Sequence, residues 1–225
     1  MTLMDQSLGQ LARSIPGATG IFNRYQFDFC CAGNRSLRTA AAAAGVNGES
    51  IAAELQTLRE RGEPLQGPDW SQASDTALVD HILARYHAVH REQLPELIRL
   101  ARRVEQVHGD REDCPVGLAD HLAAMAQELE SHMKKEEAVL FPLIARGQGA
   151  LGGMPIHVMR GEHEEHGESL RRLLALTDQI TPPRGACTTW RVLYSGLQAF
   201  HDDLIAHIHL ENNLLFERFA PAKVH

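Results

Sequence analysis

Two copies of the pattern H-x-x-x-E, each followed by Leu-Phe at the same offset, most constrain what this chain can fold into. The first copy runs from His132 to Glu136 and the second from His207 to Glu211. A helix advances about 100° per residue, so the imidazole and the carboxylate of each copy share one helical face, one turn apart. The repeat therefore predicts two helices that present matching pairs of metal-ligating side chains.

A second repeated pattern, H-x-x-H-x-E-x-L, begins at His87 and again at His163. It alternates with the first along the chain, so four helices each contribute a histidine. The spacing does not decide between the two histidines of each copy. His90 and His166 share the helical face of His87 and His163, and each of these pairs leaves open which member is a ligand.

The ligand candidates fall on an apolar stripe that indicates a buried position. Before His132 and before His207, apolar residues recur in alternating steps of four and three, as in the packed seam of a helical bundle. A buried carboxylate is costly unless it is paired or bound to a metal. We therefore predict an all-α protein with a four-helix bundle and a metal site in its core, formed by imidazole and carboxylate ligands. The apolar residues of the two stripes are Leu118, Leu122, Met125, Leu129, Leu193, Leu197, Phe200 and Leu204.

Proline, glycine and helix-capping residues indicate where helices begin and end, and their positions predict two domains. Residues 1–70 read as a small helical module, with short helices that start near Ser7, Ser36 and Asn47. Residues 63–68 read as a linker. Residues 71–225 read as the bundle, with helices predicted at about 74–108, 113–145, 155–180 and 188–219.

Composition excludes several classes of function. The net charge is −7 with neutral histidines, which argues against a nucleic-acid partner. No apolar run reaches the roughly 20 residues that span a bilayer, so we expect no membrane association. Four cysteines without a regular framework, together with the lack of a signal peptide pattern, favour a cytoplasmic protein.

The types of ligand atom limit which metals the predicted site can bind. Imidazole and carboxylate without thiolate suit iron, manganese or zinc. Two carboxylates from opposing helices can each bridge two ions, and four histidines then give two terminal ligands per ion. We also expect Glu128 and Asp203, one turn before His132 and His207, to orient those imidazoles or to be solvated flanks. The sequence does not favour either of these two alternatives.

The adjacent pair Cys30-Cys31 follows an aromatic cluster and is the other candidate for chemistry. One reading is a thiol pair for redox chemistry or for handling metal or nitric oxide. The other is a pair of ordinary buried cysteines. Cys114 and Cys187 fall at predicted helix starts, and we expect both to be structural.

These motifs resemble those of the hemerythrin-like di-iron proteins that repair iron–sulfur clusters, including the small leading domain of the ScdA type. The similarity covers nearly the whole chain. The leading domain contributes the segment from Asp5 to Gly9 and the Cys30-Cys31 pair. The bundle contributes the segments at 85–87, 91–97, 131–137, 187–190 and 210–213.

The resemblance implies a hemerythrin-like four-helix bundle and an oxo- or hydroxo-bridged centre of two iron ions. It implies iron ligands at both H-x-x-x-E pairs and at the first histidine of each H-x-x-H, with both glutamates bridging. Oxygen-carrying hemerythrins have H-x-x-x-H on the third helix, where this chain has Gly167, so a more open and more reactive site is expected. The implied ligands are His87, His132, Glu136, His163, His207 and Glu211.

The implied role is repair of iron–sulfur proteins damaged by oxidative or nitrosative stress, by iron donation or by nitric oxide handling. Our own hypothesis is that Cys30 and Cys31 take part, by exchanging electrons, taking up iron or accepting a nitrosyl group. Whether the centre turns over nitric oxide is open. The alternative is a binding module that senses oxygen or nitric oxide without turnover. A ferritin-like oxidase is disfavoured, because such sites use E-x-x-H and more carboxylates. The sequence does not fix the oligomeric state, and a homodimer is one open alternative.

Overall fold

The computed structural model describes residues 2–61, 70–148 and 152–219, and every regular element in these ranges is helical. An isolated antiparallel bridge between Ser7 and Ser36 is the one strand-like pairing in the described ranges. The all-α prediction is therefore confirmed. By backbone contacts the chain forms two compact units. One comprises Met1–Leu78 with Ile208–His225, and the other comprises Val79–His207.

Short, well-capped helices build the N-terminal part of the first unit. A 3-10 turn at Leu3–Asp5 precedes α1 (Leu8–Ser14), α2 (Ala18–Arg24), α3 (Leu37–Ala44) and α4 (Gly48–Arg61). Ser7 caps α1 by accepting a hydrogen bond from the Gln10 amide, and Gln10 returns the bond in a capping box. Ser36 caps α3, and Gly45 ends it in the left-handed conformation that glycine tolerates without a steric penalty.

Helix α2 is the element of this part that the sequence analysis did not predict. Its seven residues contribute Ile21 and Phe22 to the core, and Phe22 lies 5.6 Å from Phe29 between ring centroids. The aromatic cluster thus contributes to the core of a helical module. The linker predicted at 63–68 lies outside the described residues.

Long helices, interrupted by π-helical turns, form the bundle. The first bundle helix consists of α5 (Asp75–Ile82), a π-turn at Leu83–His87 and α6 (Ala88–His108), and it continues through Pro95. The remaining elements are α7 (Leu118–Lys135), a π-turn at Glu136–Leu140, α8 (Phe141–Ala145), α9 (Gly153–Leu176), α10 (Thr188–Leu210), a π-turn at Glu211–Leu215 and a 3-10 turn at Phe216–Phe219. These bounds follow the four predicted helices closely.

The predicted apolar seam is buried. Leu118, Leu122, Leu193, Leu197 and Phe200 are fully inaccessible to solvent, and the polar residues that continue the seam are buried with them. In the described part of the chain, no helix combines the length and the apolarity needed to cross a membrane.

Candidate metal centre

Three of the four helices that carry candidate ligands contain a π-turn at the candidate ligand itself. The first π-turn ends at His87, the second begins at Glu136, and the third begins at Glu211. A π-turn inserts one extra residue into a helix and shifts the rotational phase of the residues after it, which is why such turns are frequent at functional sites. The fourth ligand helix, α9, carries His163 in regular α-helical geometry.

Glu136 lies at the centre of the candidate ligands in the bundle unit. Its Oε2 is 3.4 Å from the Nε2 of His87 and 3.4 Å from the Nε2 of His132. All three side chains are almost fully buried. Two ligands bound about 2.1 Å from one ion lie about 3.0 to 3.4 Å apart at bond angles between octahedral and tetrahedral. Both observed separations therefore lie within the range expected for a pair of ligands on one ion.

His163 and His207 complete two groups of candidate ligands around Glu136. The Nε2 atoms of His163 and His132 are 3.1 Å apart, so both imidazoles face one point. The ligand atoms of His132, Glu136 and His163 lie within 4.8 Å of one another, and so do those of His87, Glu136 and His207. Within the bundle unit, the predicted ligands thus form two groups that share Glu136.

Glu211 follows His207 by one turn of the same helix and is fully buried. It begins the third π-turn in the same way that Glu136 begins the second. The repeat seen in the sequence is therefore a repeat of local structure as well. Each copy has a histidine at the end of a helix and a buried glutamate at the start of the adjoining π-turn.

Two further carboxylates hold the imidazoles and were not predicted as partners. Glu137 Oε1 is 2.8 Å from His87 Nδ1, and Glu162 Oε2 is 2.8 Å from His132 Nδ1. An acceptor on Nδ1 fixes the tautomer that leaves the Nε2 lone pair for a metal. Each of these glutamates is adjacent in sequence to a candidate ligand, but the side chain that it holds belongs to a different helix.

Cationic neighbours keep both carboxylates ionised. Burial opposes ionisation of Glu137, but hydrogen bonds from Arg91 and His87 bring its pKa below the usual value. Burial likewise opposes ionisation of Glu162, and Lys135 and His132 lower its pKa. An ionised acceptor strengthens the hydrogen bond to the imidazole and raises the basicity of the opposite ring nitrogen.

Glu128 and Asp203, which the sequence offered as residues that orient the imidazoles, have other neighbours in the structure. The acceptor on His132 Nδ1 is Glu162 and not Glu128, which lines an open cleft beside Lys135 and His166. Asp203 accepts hydrogen bonds from Arg85 and from Gln93. The Gln93 side chain also lies 3.4 Å from His90 Nδ1.

The second histidine of each H-x-x-H lies outside the two groups. His90 Nε2 is buried and has no hydrogen-bond partner among the described residues, and burial lowers the pKa of this imidazole to about 3. The ring of His166 packs edge-on against that of His132, with centroids 5.0 Å apart. The grouping of ligand atoms therefore contains the first histidine of each pattern and not the second.

The donor set fits a first-row transition metal. Nitrogen and carboxylate oxygen ligands without sulfur suit iron, manganese or zinc. A carboxylate as buried as Glu136 is strongly disfavoured without a compensating positive charge. Iron at this site would be held by the imidazole Nε2 atoms and the glutamate oxygens.

The Cys30-Cys31 pair lies in the loop between α2 and α3, in the first unit. The two Sγ atoms are 3.6 Å apart, and Cys30 Sγ is 3.5 Å from Asp28 Oδ1. Asn212 Nδ2 donates to the Cys30 carbonyl at 2.9 Å, which ties the loop to the residue after Glu211. The pair therefore occupies a defined position next to the third π-turn.

The other two cysteines, Cys114 and Cys187, belong to the bundle unit. Cys187 Sγ is 3.3 Å from the Nε2 of His108, whose ring lies tilted against Trp190 with centroids 5.2 Å apart. Burial raises the pKa of the Cys114 thiol. All four cysteines lie in the described residues, and no disulfide joins any of them.

A helical bundle whose core presents two groups of histidine ligands around a shared glutamate defines a hemerythrin-type metal protein. The family described as "Hemerythrin HHE cation binding domain" matches residues 78–219. A second family, ScdA_N, described only as a domain of unknown function, matches residues 4–59.

Full-length relatives make the assignment more specific. A protein of Haemophilus influenzae named "Probable iron-sulfur cluster repair protein" is 48% identical over 97% of this chain and 98% of the relative. "Iron-sulfur cluster repair protein YtfE" of Yersinia pseudotuberculosis is 49% identical over the same shares. The chain therefore belongs to the hemerythrin-like family of iron–sulfur cluster repair proteins.

Proposed function

We propose that this protein repairs iron–sulfur clusters damaged by oxidative or nitrosative stress, using a non-haem di-iron centre in its bundle. The observation that carries the proposal is the sharing of Glu136 by two groups of histidine ligands. A carboxylate shared by two groups of ligands can bridge a pair of ions. The names of the relatives over nearly the full length support the same role.

The proposed ligands divide into two sets. His87 and His207 hold one iron, and His132 and His163 hold the other. Glu136 and Glu211 would supply carboxylate oxygens to both ions, and an oxo or hydroxo group would complete the centre. Support for Glu211 comes from its burial and from its place at the start of a π-turn, which repeats that of Glu136.

The protein's own groups prepare this site. Glu137 and Glu162 hold the Nδ1 protons of His87 and His132, so that each Nε2 lone pair is directed to the metal. Iron, when bound, supplies an exchangeable cargo and affinity for nitric oxide or oxygen as small ligands. The apolar seam around the ligands excludes bulk water and stiffens their arrangement.

Cys30 and Cys31 are proposed to act with the centre and not as ligands of it. Thiolate is the reactive form of cysteine and can accept a nitrosyl group at the oxidation level of NO⁺, donate an electron or bind a metal ion. Support comes from their position, because Asn212 and Asn213 hold the carbonyls of Cys30 and Phe29 directly after Glu211. The absence of disulfides among four described cysteines also fits the reducing cytoplasm that we propose as the location.

The proposal is tested by repair in a defined mixture. An iron–sulfur hydratase inactivated by nitric oxide is incubated with the iron-loaded protein, and recovery of its activity is measured. We expect recovery above that given by the same amount of free ferrous iron. Metal-depleted protein is the matched control and should give none. Reversible binding of nitric oxide or oxygen without any recovery would overturn the repair function in favour of a sensor.

The metal count has its own test. Mössbauer spectra and iron analysis should show two coupled irons per chain. A Glu136→Ala variant should bind fewer than two irons per chain or give an altered Mössbauer spectrum, because one of the carboxylates shared by the two irons is gone. An exposed glutamate on a neighbouring helix, Glu164, gives the control substitution Glu164→Ala. A coupled pair that persists unchanged in Glu136→Ala would contradict the bridging assignment.

A further inference from the structure

Asp28, Cys30 and Cys31 form a second cluster of metal-ligating side chains, in the loop between α2 and α3. The ligand atoms of the three residues lie within 4.8 Å of one another. None of these residues belongs to the histidine and glutamate groups of the bundle. Two sulfurs and one carboxylate oxygen make a donor set of a different chemical class from that of the bundle site.

Two separations in this cluster, both from Cys30 Sγ, match those required by a single tetrahedral ion. A metal–sulfur bond of about 2.3 Å and a metal–oxygen bond of about 2.1 Å place two sulfurs about 3.8 Å apart and a sulfur and an oxygen about 3.6 Å apart. The structure has 3.6 Å between the two Sγ atoms and 3.5 Å between Cys30 Sγ and Asp28 Oδ1.

The electrostatics of the cluster favour a cation. The hydrogen bond with Cys31 and burial raise the pKa of the Cys30 thiol well above its usual value, and the nearby Asp28 carboxylate adds to the effect. A divalent ion among the three groups reverses this balance, since it attracts each of the charges that otherwise repel one another. Binding would release the thiol protons to solvent.

Hydrogen bonds hold the loop in place, and an ion from solvent can reach the cluster. Asp28 Oδ1 accepts from the amides of Cys31 and Ala32 at 3.0 and 3.2 Å. Asn212 and Asn213 fix the carbonyls of Cys30 and Phe29 from the last helix. Asp28 and Cys31 are partly exposed, so an ion can enter from solvent although Cys30 is buried.

We infer that Asp28, Cys30 and Cys31 form a second, three-ligand metal site for a thiophilic divalent cation, with its fourth position open to water or to a donor from a partner. If the protein donates iron in repair, on which this part of the inference rests, the cation is ferrous iron in transit. Asn212 and Asn213 then hold the site formed by Asp28, Cys30 and Cys31 next to the segment that carries Glu211.

Cobalt(II) is the probe for this site, added to the full chain after the bundle has been loaded with iron. Cobalt X-ray absorption reports metal–sulfur bonds directly, and the iron does not interfere. We expect one additional cobalt per chain with two sulfurs at about 2.3 Å. Cys30→Ser and Cys31→Ser should each remove one sulfur from the spectrum. Asp28→Asn should keep both sulfurs and weaken cobalt binding by about tenfold or more, as loss of a partner in a metal site generally does.

Matched controls separate this site from the other thiols and from the repair function. A Cys114→Ser, Cys187→Ser double variant should bind cobalt as the parent does, and circular dichroism should confirm that every variant is folded. Cobalt bound without sulfur, or sulfur coordination that persists in the Cys30→Ser, Cys31→Ser double variant, would overturn the site. Repair activity in a parent that binds no cobalt at these thiols would overturn the inference alone and leave the bundle function intact.

Discussion

The Glu162 carboxylate lies 2.8 Å from the Nδ1 of His132, and Lys135 holds the other oxygen of the same carboxylate. Glu162 is on α9 and His132 is on α7, so the contact joins two ligand-bearing helices. It also settles which ring nitrogen of His132 faces the candidate metal site. A single glutamate near the surface thereby sets the orientation of a buried candidate ligand.

Replacing Glu162 by glutamine should weaken iron binding by about 10- to 100-fold, because an amide is a poorer acceptor for the imidazole N–H. Competition with a chelator of known affinity measures the change. Glu164→Gln, at an exposed position on the same helix, is the control and should bind iron as the parent does. Equal affinities for the two variants would mean that the hydrogen bond does not position the ligand.

The H-x-x-H question leads to a second prediction. His163 belongs to a group of ligand atoms, whereas the His166 ring packs against His132 outside both groups. His166→Ala should therefore retain two irons per chain, and His163→Ala should lose iron under the same conditions. Iron analysis and Mössbauer spectra distinguish the two. Loss of iron from a folded His166→Ala variant would show that the second histidine is the ligand.

The sequence is sufficient for those features that depend on one helix alone. The spacing of His132 and Glu136 puts both on one face of any helix, and the apolar steps before them place that face in the core. The bundle helices and the all-α class are consequences of the same periodicity. The caps at Ser7 and Ser36 are equally local, since each depends on a side chain and an amide three residues later.

The features that the sequence does not predict depend on how helices are rotated against one another. Glu137 and Glu162 contact histidines on other helices, so spacing along their own helix carries no signal for the contact. The adjacency of each to a ligand is the one available hint. The π-turns are of the same kind, because an inserted residue is stabilised by the packing of its neighbours and not by its identity. Helix α2 escapes prediction because it has only seven residues and begins directly after Gly17, so its apolar spacing at Ala18, Ile21 and Phe22 covers barely two turns.

A third prediction concerns stability and pH in the first unit. His209 is buried, its ring meets the edge of Phe29 at 5.4 Å, and Asn213 Nδ2 donates to its Nδ1 at 3.0 Å. Burial and the nearby Arg13 lower its pKa to about 4. The unfolded chain takes up this proton near pH 6.5 and the folded chain does not. The free energy of unfolding therefore falls as pH drops from about 6.5 toward 4.

The expected loss from this one group between pH 7 and pH 5 is about 2 kcal/mol. Urea unfolding of the parent and of His209→Gln at both pH values, with the same iron loading, measures it as the difference between their pH slopes. The metal-ligating histidines contribute equally to both proteins and cancel. His157→Gln, at an exposed position, should keep the slope of the parent. Parallel slopes for the parent and His209→Gln would show that His209 is not held neutral by burial.

The last prediction tests the packing that holds the cysteine loop. A Cβ at Gly33 would lie 2.5 Å from the Phe29 carbonyl oxygen and 2.7 Å from Asn213 Oδ1. The carbonyl and the Asn213 side chain also form the hydrogen bond that fixes this loop to the last helix. Because the carbonyl is backbone, it cannot move aside cheaply, and Gly33→Ala should destabilise the protein by about 1 to 3 kcal/mol.

Gly20 provides the matched control for this substitution. It is an exposed residue of α2, and a Cβ there meets no atom within 4 Å. Gly20→Ala should stabilise the protein by about 0.4 to 1 kcal/mol, since alanine loses less backbone entropy in a helix. Urea unfolding followed by circular dichroism compares both variants with the parent. If Gly33→Ala is as stable as the parent while Gly20→Ala behaves as expected, the contact between the cysteine loop and Asn213 is not a tight one, and the position of the thiols next to the third π-turn is not fixed by packing.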